Sequence, residues 1–234
     1  MIEITWLGHA TVQFRLESNE VILMDPWVDG NPTYPKAHTI DRLDTILVSH
    51  AHFDHIHDVI PLAKKFKPKV IAIFETCVWL TSKGVENCSG MNKGGTQDVI
   101  GKVKATMTHA VHSCGIQDGD EILYGGEAAG YVLHLPDGRT IYFAGDTAVF
   151  SDMQLIAQLY KPNLAFLPIG DFYTMGPREA ALACRLLDVK QVVPMHFGTF
   201  PALTGTPQEL ARELRAVGAS TDVWPLEIGQ PVKW

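Results

Sequence analysis

Cysteine, positive charge and long apolar runs are all scarce in this chain of 234 residues. The four cysteines, Cys77, Cys88, Cys114 and Cys184, are scattered and form no Cys-x-x-Cys pair. Such spacing argues against a disulfide framework and reads as reduced thiols of a cytoplasmic protein. Lysine and arginine number 19 against 26 acidic residues, a net charge of −7. That balance argues against a nucleic-acid partner, since phosphate contacts need a basic surface. A small phosphorylated substrate stays open, because a bound metal supplies local positive charge. No apolar run approaches the roughly 20 residues that span a bilayer, so no membrane partner is expected. The opening Met1-Ile2-Glu3-Ile4-Thr5-Trp6 lacks a basic stretch followed by a long apolar one, and no signal peptide is expected.

Apolar residues, by contrast, make up 46% of the chain, enough for a buried core. No linker or low-complexity segment breaks it, so a single domain over residues 1–234 is expected. Strands are expected at 2–6 and 10–16. The continuous apolar run Val21-Ile22-Leu23-Met24 reads as a strand covered on both faces, ending at Asp25. Thr45 to Ser49 is another buried strand, and Asp58 to Phe66 has helical spacing. A strand at 70–74 leads to a helix from Glu75 to Lys83 that Gly84 stops.

Residues 87–97, rich in Gly and Asn, read as loop. Strands follow at 99–109, 121–124, 130–135 and 140–144, the last two joined by the tight turn Pro136-Asp137-Gly138. A helix at 152–160 and a strand at 164–167 come next. Pro177 opens a helix to about Leu187, and a strand at 191–193 ends near His196. Thr206-Pro207-Gln208-Glu209 has the form of a capping box opening a helix that ends near Gly218. Short strands at 222–226 and 231–234 close the chain. The second half loosely repeats the order of the first, which fits mixed sheets with helices outside.

One stretch organises the chemistry. His50-Ala51-His52-Phe53-Asp54-His55 places three imidazoles and a carboxylate in six residues, between a strand and a helix. These are ligands for zinc and similar borderline cations. Alternate side chains of an extended chain share a face, so His50 and His52 can reach one ion together. Asp54 and His55 lie where the chain turns into the helix and can point towards a second. Asp25, His50, Asp146 and His196 each follow the end of an apolar strand, and His112 follows the strand at 99–109. Strand ends are where α/β folds place their sites, so these residues are expected on one rim.

His-x-His-x-Asp-His after a hydrophobic strand resembles the signature of the metallo-β-lactamase superfamily. Further stretches resemble a branch of small metal-dependent hydrolases related to ascorbate-6-phosphate lactonases: Trp6-Leu7-Gly8-His9-Ala10-Thr11, Leu23-Met24-Asp25-Pro26 and Pro168-Ile169-Gly170-Asp171-Phe172-Tyr173-Thr174-Met175-Gly176-Pro177. The resemblance covers nearly the whole chain and implies an α/β fold, a four-layer αββα sandwich. It implies two divalent ions: His50, His52 and His112 on the first, Asp54, His55 and His196 on the second, Asp146 bridging. His109 is a near competitor of His112. Zinc is the default from ligand type, and Mn2+, Ni2+ or Fe2+ fit nearly as well.

Such a site implies a hydrolase of a small ester, lactone or phosphodiester, with a metal-bridging hydroxide as nucleophile. The charge of the ions favours an anionic small-molecule substrate. Asp54 is the expected proton carrier, and His9 the expected donor to the substrate or acid. Asp25 is expected behind the ligands, accepting a ring N–H and fixing its tautomer. Asp171, Phe172 and Tyr173 are pocket candidates. The resembling branch is expected to carry Asn after this Asp, where the chain has Phe172. Trp27, Tyr34 and Phe200 could join a pocket wall or an oligomer interface, and the resemblance allows a homo-oligomer. Cys114, two residues beyond His112, reads as a packed side chain or a site neighbour. His38, His57 and His134 read as structural or solvated.

Two other classes share the fold. Diiron oxygenases generally carry Glu at the second position of the signature, against which His52 stands. A mono-iron oxygenase keeps the signature and remains an alternative. A non-catalytic metal-binding module is a third, though all seven ligands are present.

Overall fold

A computed structural model describes all 234 residues. The first half runs β1 (Ile2–Trp6), β2 (Val12–Leu16), β3 (Val21–Met24), β4 (Thr45–Leu47), α1 (Phe53–Ile56), α2 (Val59–Phe66), β5 (Lys69–Ile73), α3 (Phe74–Ser82) and β6 (Cys88–Met91). The second half runs β7 (Thr96–Ile100), β8 (Val103–His109), β9 (Gly115–Asp118), β10 (Glu121–Tyr124), β11 (Ala129–His134), β12 (Thr140–Phe143), α4 (Met153–Tyr160), β13 (Leu164–Pro168), α5 (Pro177–Leu187), β14 (Gln191–Met195), α6 (Pro207–Ala216), β15 (Asp222–Val223) and β16 (Val232–Lys233).

Two seven-stranded sheets result, ordered β16-β1-β2-β3-β4-β5-β6 and β15-β14-β13-β12-β11-β8-β7. Each is antiparallel at one end and parallel at the other, with β3 and β12 at the change. This is the physical content of the half-to-half repeat. The last strand departs from it, since β16 crosses back to pair with β1.

Alternation along each strand explains the layers. In β3, Ile22 and Met24 face the other sheet, while Val21 and Leu23 face the helices. Between the sheets, Phe14 meets Phe166 edge to face, ring centroids 5.6 Å apart. Outside the first sheet, Val59, Ala63, Cys77 and Leu80 of α2 and α3 cover Ile46 and Val70. Outside the second, α4, α5 and α6 cover Val132, Tyr142, Ala165 and Leu167. The architecture is the αββα sandwich. The α6 capping box is complete: Glu209 N donates to Thr206 Oγ1 (3.2 Å) and Thr206 N to the Glu209 carboxylate (3.1 Å).

The sequence reading misses in three places. Residues 87–97, expected as loop, contain β6 and the start of β7. Gly90 in β6 lets α3 lie close, because a Cβ there would stand 3.2 Å from the Phe74 Cα. The single strand expected over 99–109 is split by a turn at Gly101-Lys102 into β7 and β8. A further strand, β9, pairs with β10 in a two-stranded sheet apart from the other two. No helix is long and apolar enough to cross a membrane.

Candidate metal centre

β3 and β4 run parallel in one sheet, as β12 and β14 do in the other, and the C-terminal ends of all four supply the site. Asp25 follows β3, the signature follows β4, Asp146 follows β12 and His196 follows β14; His112 follows β8. Asp25 (φ +43°) and His196 (φ +55°) leave their strands through left-handed backbone, as does His9 (φ +52°) in the β1–β2 turn. That conformation costs a non-glycine residue roughly 1–2 kcal/mol. Neighbouring hydrogen bonds hold it, Asp25 N to Leu47 O (3.0 Å) and His196 N to His9 O (3.0 Å). Gly145 (φ +63°) lets Asp146 approach the signature, since a Cβ there would meet the Ser49 Cβ at 2.6 Å.

Three ring nitrogens converge on one side. His52 Nδ1 lies 3.0 Å from His50 Nε2 and 3.2 Å from His112 Nε2. Donors on a tetrahedral zinc with Zn–N bonds of about 2.0–2.1 Å stand roughly 3.3 Å apart, a close match. On the other side, Asp54 Oδ2 lies 3.8 Å from His55 Nε2 and 3.7 Å from His196 Nε2. Asp146 Oδ2 sits between the sets. It is 3.7 Å from His112 Nε2 and 3.9 Å from His50 Nε2, and 3.0 Å from His196 Nε2 and 3.3 Å from His55 Nε2.

The buried atoms His55 Nε2, His196 Nδ1 and Nε2 and Asp146 Oδ1 have no hydrogen-bond partner. Leaving such atoms unpaired costs about 1–3 kcal/mol each. His55 Nε2 and His196 Nε2 both face Asp146 Oδ2, which fits a bound cation between them, and the donor set is one that borderline divalent ions prefer.

Residues behind the cluster set the tautomers. Asp25 is fully buried and accepts from Ser49 N (2.7 Å), Ser49 Oγ (2.6 Å) and His55 Nδ1 (2.8 Å). With an ion bound, His55 thus keeps its proton on Nδ1 and presents Nε2 as a lone pair. The Ser49 hydroxyl, having donated to Asp25, accepts from His50 Nδ1 at 3.0 Å and fixes that ring likewise. His52 Nε2 donates to Ser113 Oγ at 3.2 Å, leaving Nδ1 for the cluster. The sequence reading assigns Ser49 and Ser113 no role in holding a ligand; their only signal is their place beside one.

The electrostatics divide the histidines. Burial, reinforced by His55, holds His50 well below the usual imidazole range, and burial chiefly lowers His52 and His112. Burial would also lower His55 and His196, but Asp146 and the other carboxylates outweigh it. His55 is driven well above its usual range and His196 up to about 9. Burial alone would raise Asp54 and Asp146, but the facing imidazoles pull both below the ordinary carboxylate range. Protons on His55 and His196 therefore balance the carboxylates of the metal-free protein.

His9 is fully buried, which removes the solvated turn position that the sequence left open. Its Nε2 lies 2.9 Å from Asp54 Oδ2 and its Nδ1 3.0 Å from Thr199 Oγ1. Burial first, then His196, pushes it down to about 4. The neutral ring donates from Nε2 to Asp54 and accepts from Thr199, a partner that the sequence did not indicate. His9 does not line the pocket, so it reaches the substrate only through Asp54.

That pocket, of about 700 Å³, opens over Asp54, His112, Asp146 and His196. Of the three loop candidates, Tyr173 lines it. Asp171 and Phe172 are not among its lining residues, and both have left-handed backbone (φ +66° and +58°). The Asp171 carboxylate accepts from Phe172 N at 2.7 Å and borders a separate cleft with Arg178 and Arg212. Phe200 lines the pocket and stacks on buried Trp27, while Tyr34 packs away from it beside His38. His109 is drawn aside to Lys93 Nζ (3.0 Å). The buried Cys114 thiol lies 3.4 Å from Gly125 O, outside the donor clusters.

Fold and site together define a metallo-hydrolase. Residues 20–197 match the beta-lactamase superfamily domain, and the chain belongs to that family. It is 68% identical over 233 residues to a UPF0173 metal-dependent hydrolase of Solibacter usitatus, covering 100% of both chains. A relative from Koribacter versatilis, of the same description, is 55% identical over 212 residues, covering 90% of this chain and 91% of its own. Among solved structures, Igni18, a metallo hydrolase from Ignicoccus hospitalis, superposes with a TM-score of 0.85 at 33% identity, covering 99% of this chain and 97% of that one. The protein is a metal-dependent hydrolase with the metallo-β-lactamase fold.

Proposed function

We propose that the protein is a dinuclear hydrolase that cleaves an ester, lactone or phosphodiester bond of a small molecule. One observation carries the dinuclear reading: Asp146 Oδ2 lies within 3.9 Å of two histidines from each donor set. His50, His52 and His112 would hold one ion, Asp54, His55 and His196 the other, and Asp146 both. Zinc suits these donors best. When bound, the ions supply a nucleophile at neutral pH by lowering the pKa of water towards roughly 7, and they polarise the electrophilic oxygen.

The chain's own groups do the rest. Asp54 lines the pocket with its carboxylate fixed by the His9 Nε2–H, in a position to take a proton and pass it to the leaving oxygen. Asp25 and Ser49 hold His55 and His50 in the tautomers that face the ions. Turnover of aryl lactones and of a bis-aryl phosphodiester by protein carrying two ions tests the reading. A fully loaded protein that cleaves none of them would sink it and leave a metal-binding module.

A further inference from the structure

The ions' charge suggests an anionic substrate, but the pocket wall has another character. Six lining residues, Phe53, Ile122, Tyr173, Phe200, Pro201 and Ala202, are apolar or aromatic. Beyond the cluster itself, the polar side chains of the wall are Ser113 and Gln117, and none of its residues is lysine or arginine. Three carboxylates, Asp25, Asp54 and Asp146, already face the cluster. A carboxylate or phosphate tail in this pocket would lose water against apolar side chains without a counter-charge, at high cost.

Apolar surface also stands open at the mouth. Ile122 is 71% exposed, Tyr173 58% and Phe53 49%. Each belongs to a different element: Ile122 to β10 in the separate two-stranded sheet, Tyr173 to the loop after β13, Phe53 to α1. Three side chains of this kind converging on one rim gain by being covered together.

We propose that the substrate is an uncharged ester or lactone with a flat apolar body, its acyl carbon at the His/Asp cluster and its body against Phe53, Phe200, Ile122 and Tyr173 of the wall. This rests on the hydrolytic reading above and narrows it, setting phosphodiesters aside. Water adds to the acyl carbon and the acyl C–O bond breaks. The leaving oxygen takes a proton, and the acid departs as a carboxylate with release of a second proton. The product is thus an anion for which the wall beyond the cluster offers no counter-charge.

The test uses matched pairs on the metal-loaded protein. Dihydrocoumarin and its 6-carboxylate serve for turnover; 3,4-dihydroquinolin-2-one, the corresponding lactam, and its 6-carboxylate serve for binding by calorimetry. The neutral member is expected to show at least about tenfold higher kcat/KM and about tenfold tighter binding, a difference of about 1.4 kcal/mol. Ile122→Ser and Tyr173→Ala are expected to weaken lactam binding and to raise KM more than they lower kcat, at unchanged metal content. Equal or better binding of the carboxylates, or no lactam binding at all, overturns the proposal. Selective lactam binding with neither lactone cleaved supports this substrate class for the pocket and refutes hydrolysis instead.

Discussion

The Asp25 carboxylate accepts the Nδ1 proton of His55 across 2.8 Å, and both side chains are fully buried. Asp25 also takes both donors of Ser49, so one carboxylate at the end of β3 orients two rings of the signature after β4. Asn in its place would turn an NH2 group towards a donor. Asp25→Asn is expected to weaken binding of the ion on the His55 side by about 10–100-fold. Titration against a competing chelator measures this, and unchanged affinity would remove Asp25 from the account.

His9 acts on Asp54. His9→Ala removes the Nε2–H that fixes the carboxylate and opens a gap beside Trp27. A kcat about 10–100-fold lower at unchanged metal content is the expected result, in line with the loss of an outer partner of a ligand. Full turnover in the variant would make His9 a packing residue.

Metal uptake should depend on pH unequally at the two positions. In the metal-free protein His50, His52 and His112 sit below their ordinary range and are neutral near pH 7, whereas His55 and His196 are raised and protonated. The first ion is expected to bind with little proton release and the second with release of about two protons. Affinity for the second should climb with pH, less steeply once His196 has titrated near 9. The raised value also means that the contribution of His196 to metal-free stability is complete below its unfolded value of 6.5 and is lost as pH rises through about 9. Calorimetry in buffers of different ionisation heat counts the protons; none released for either ion would contradict the charge balance.

Gly145 is where the loop carrying Asp146 touches Ser49. Gly145→Ala combines left-handed backbone with a Cβ contact of 2.6 Å and should cost about 2 kcal/mol. For a chain of this size that is a Tm lower by about 4–8 °C. An unchanged Tm would mean that the two loops are not tightly packed.

The parts of the site that lie next to each other in sequence, or at the ends of apolar strands, could be read without a structure. Asp25, Asp146 and His196 stood out because each follows a continuous apolar run. Ser49, Ser113 and Thr199 did not, because a serine or threonine beside a ligand has no pattern of its own; only the three-dimensional contact gives it a role. The same holds for strands. The apolar run of β3 announced itself, but β6, with Ser89 and Gly90, lacks strand formers and is held by β5 and α3. The segment 99–109 alternates too evenly to betray the turn at Gly101-Lys102. Asp171 and Phe172 are pocket candidates by their place in a loop after a strand, and nothing in that place foretells their two successive positive φ values.

The central claim is a two-ion centre bridged by Asp146. Elemental analysis of protein purified without an affinity tag tests it most directly, run beside His196→Ala. The account predicts about two divalent ions per chain, falling to about one in the variant. One ion per chain in the unaltered protein, with His196→Ala losing none, would contradict it.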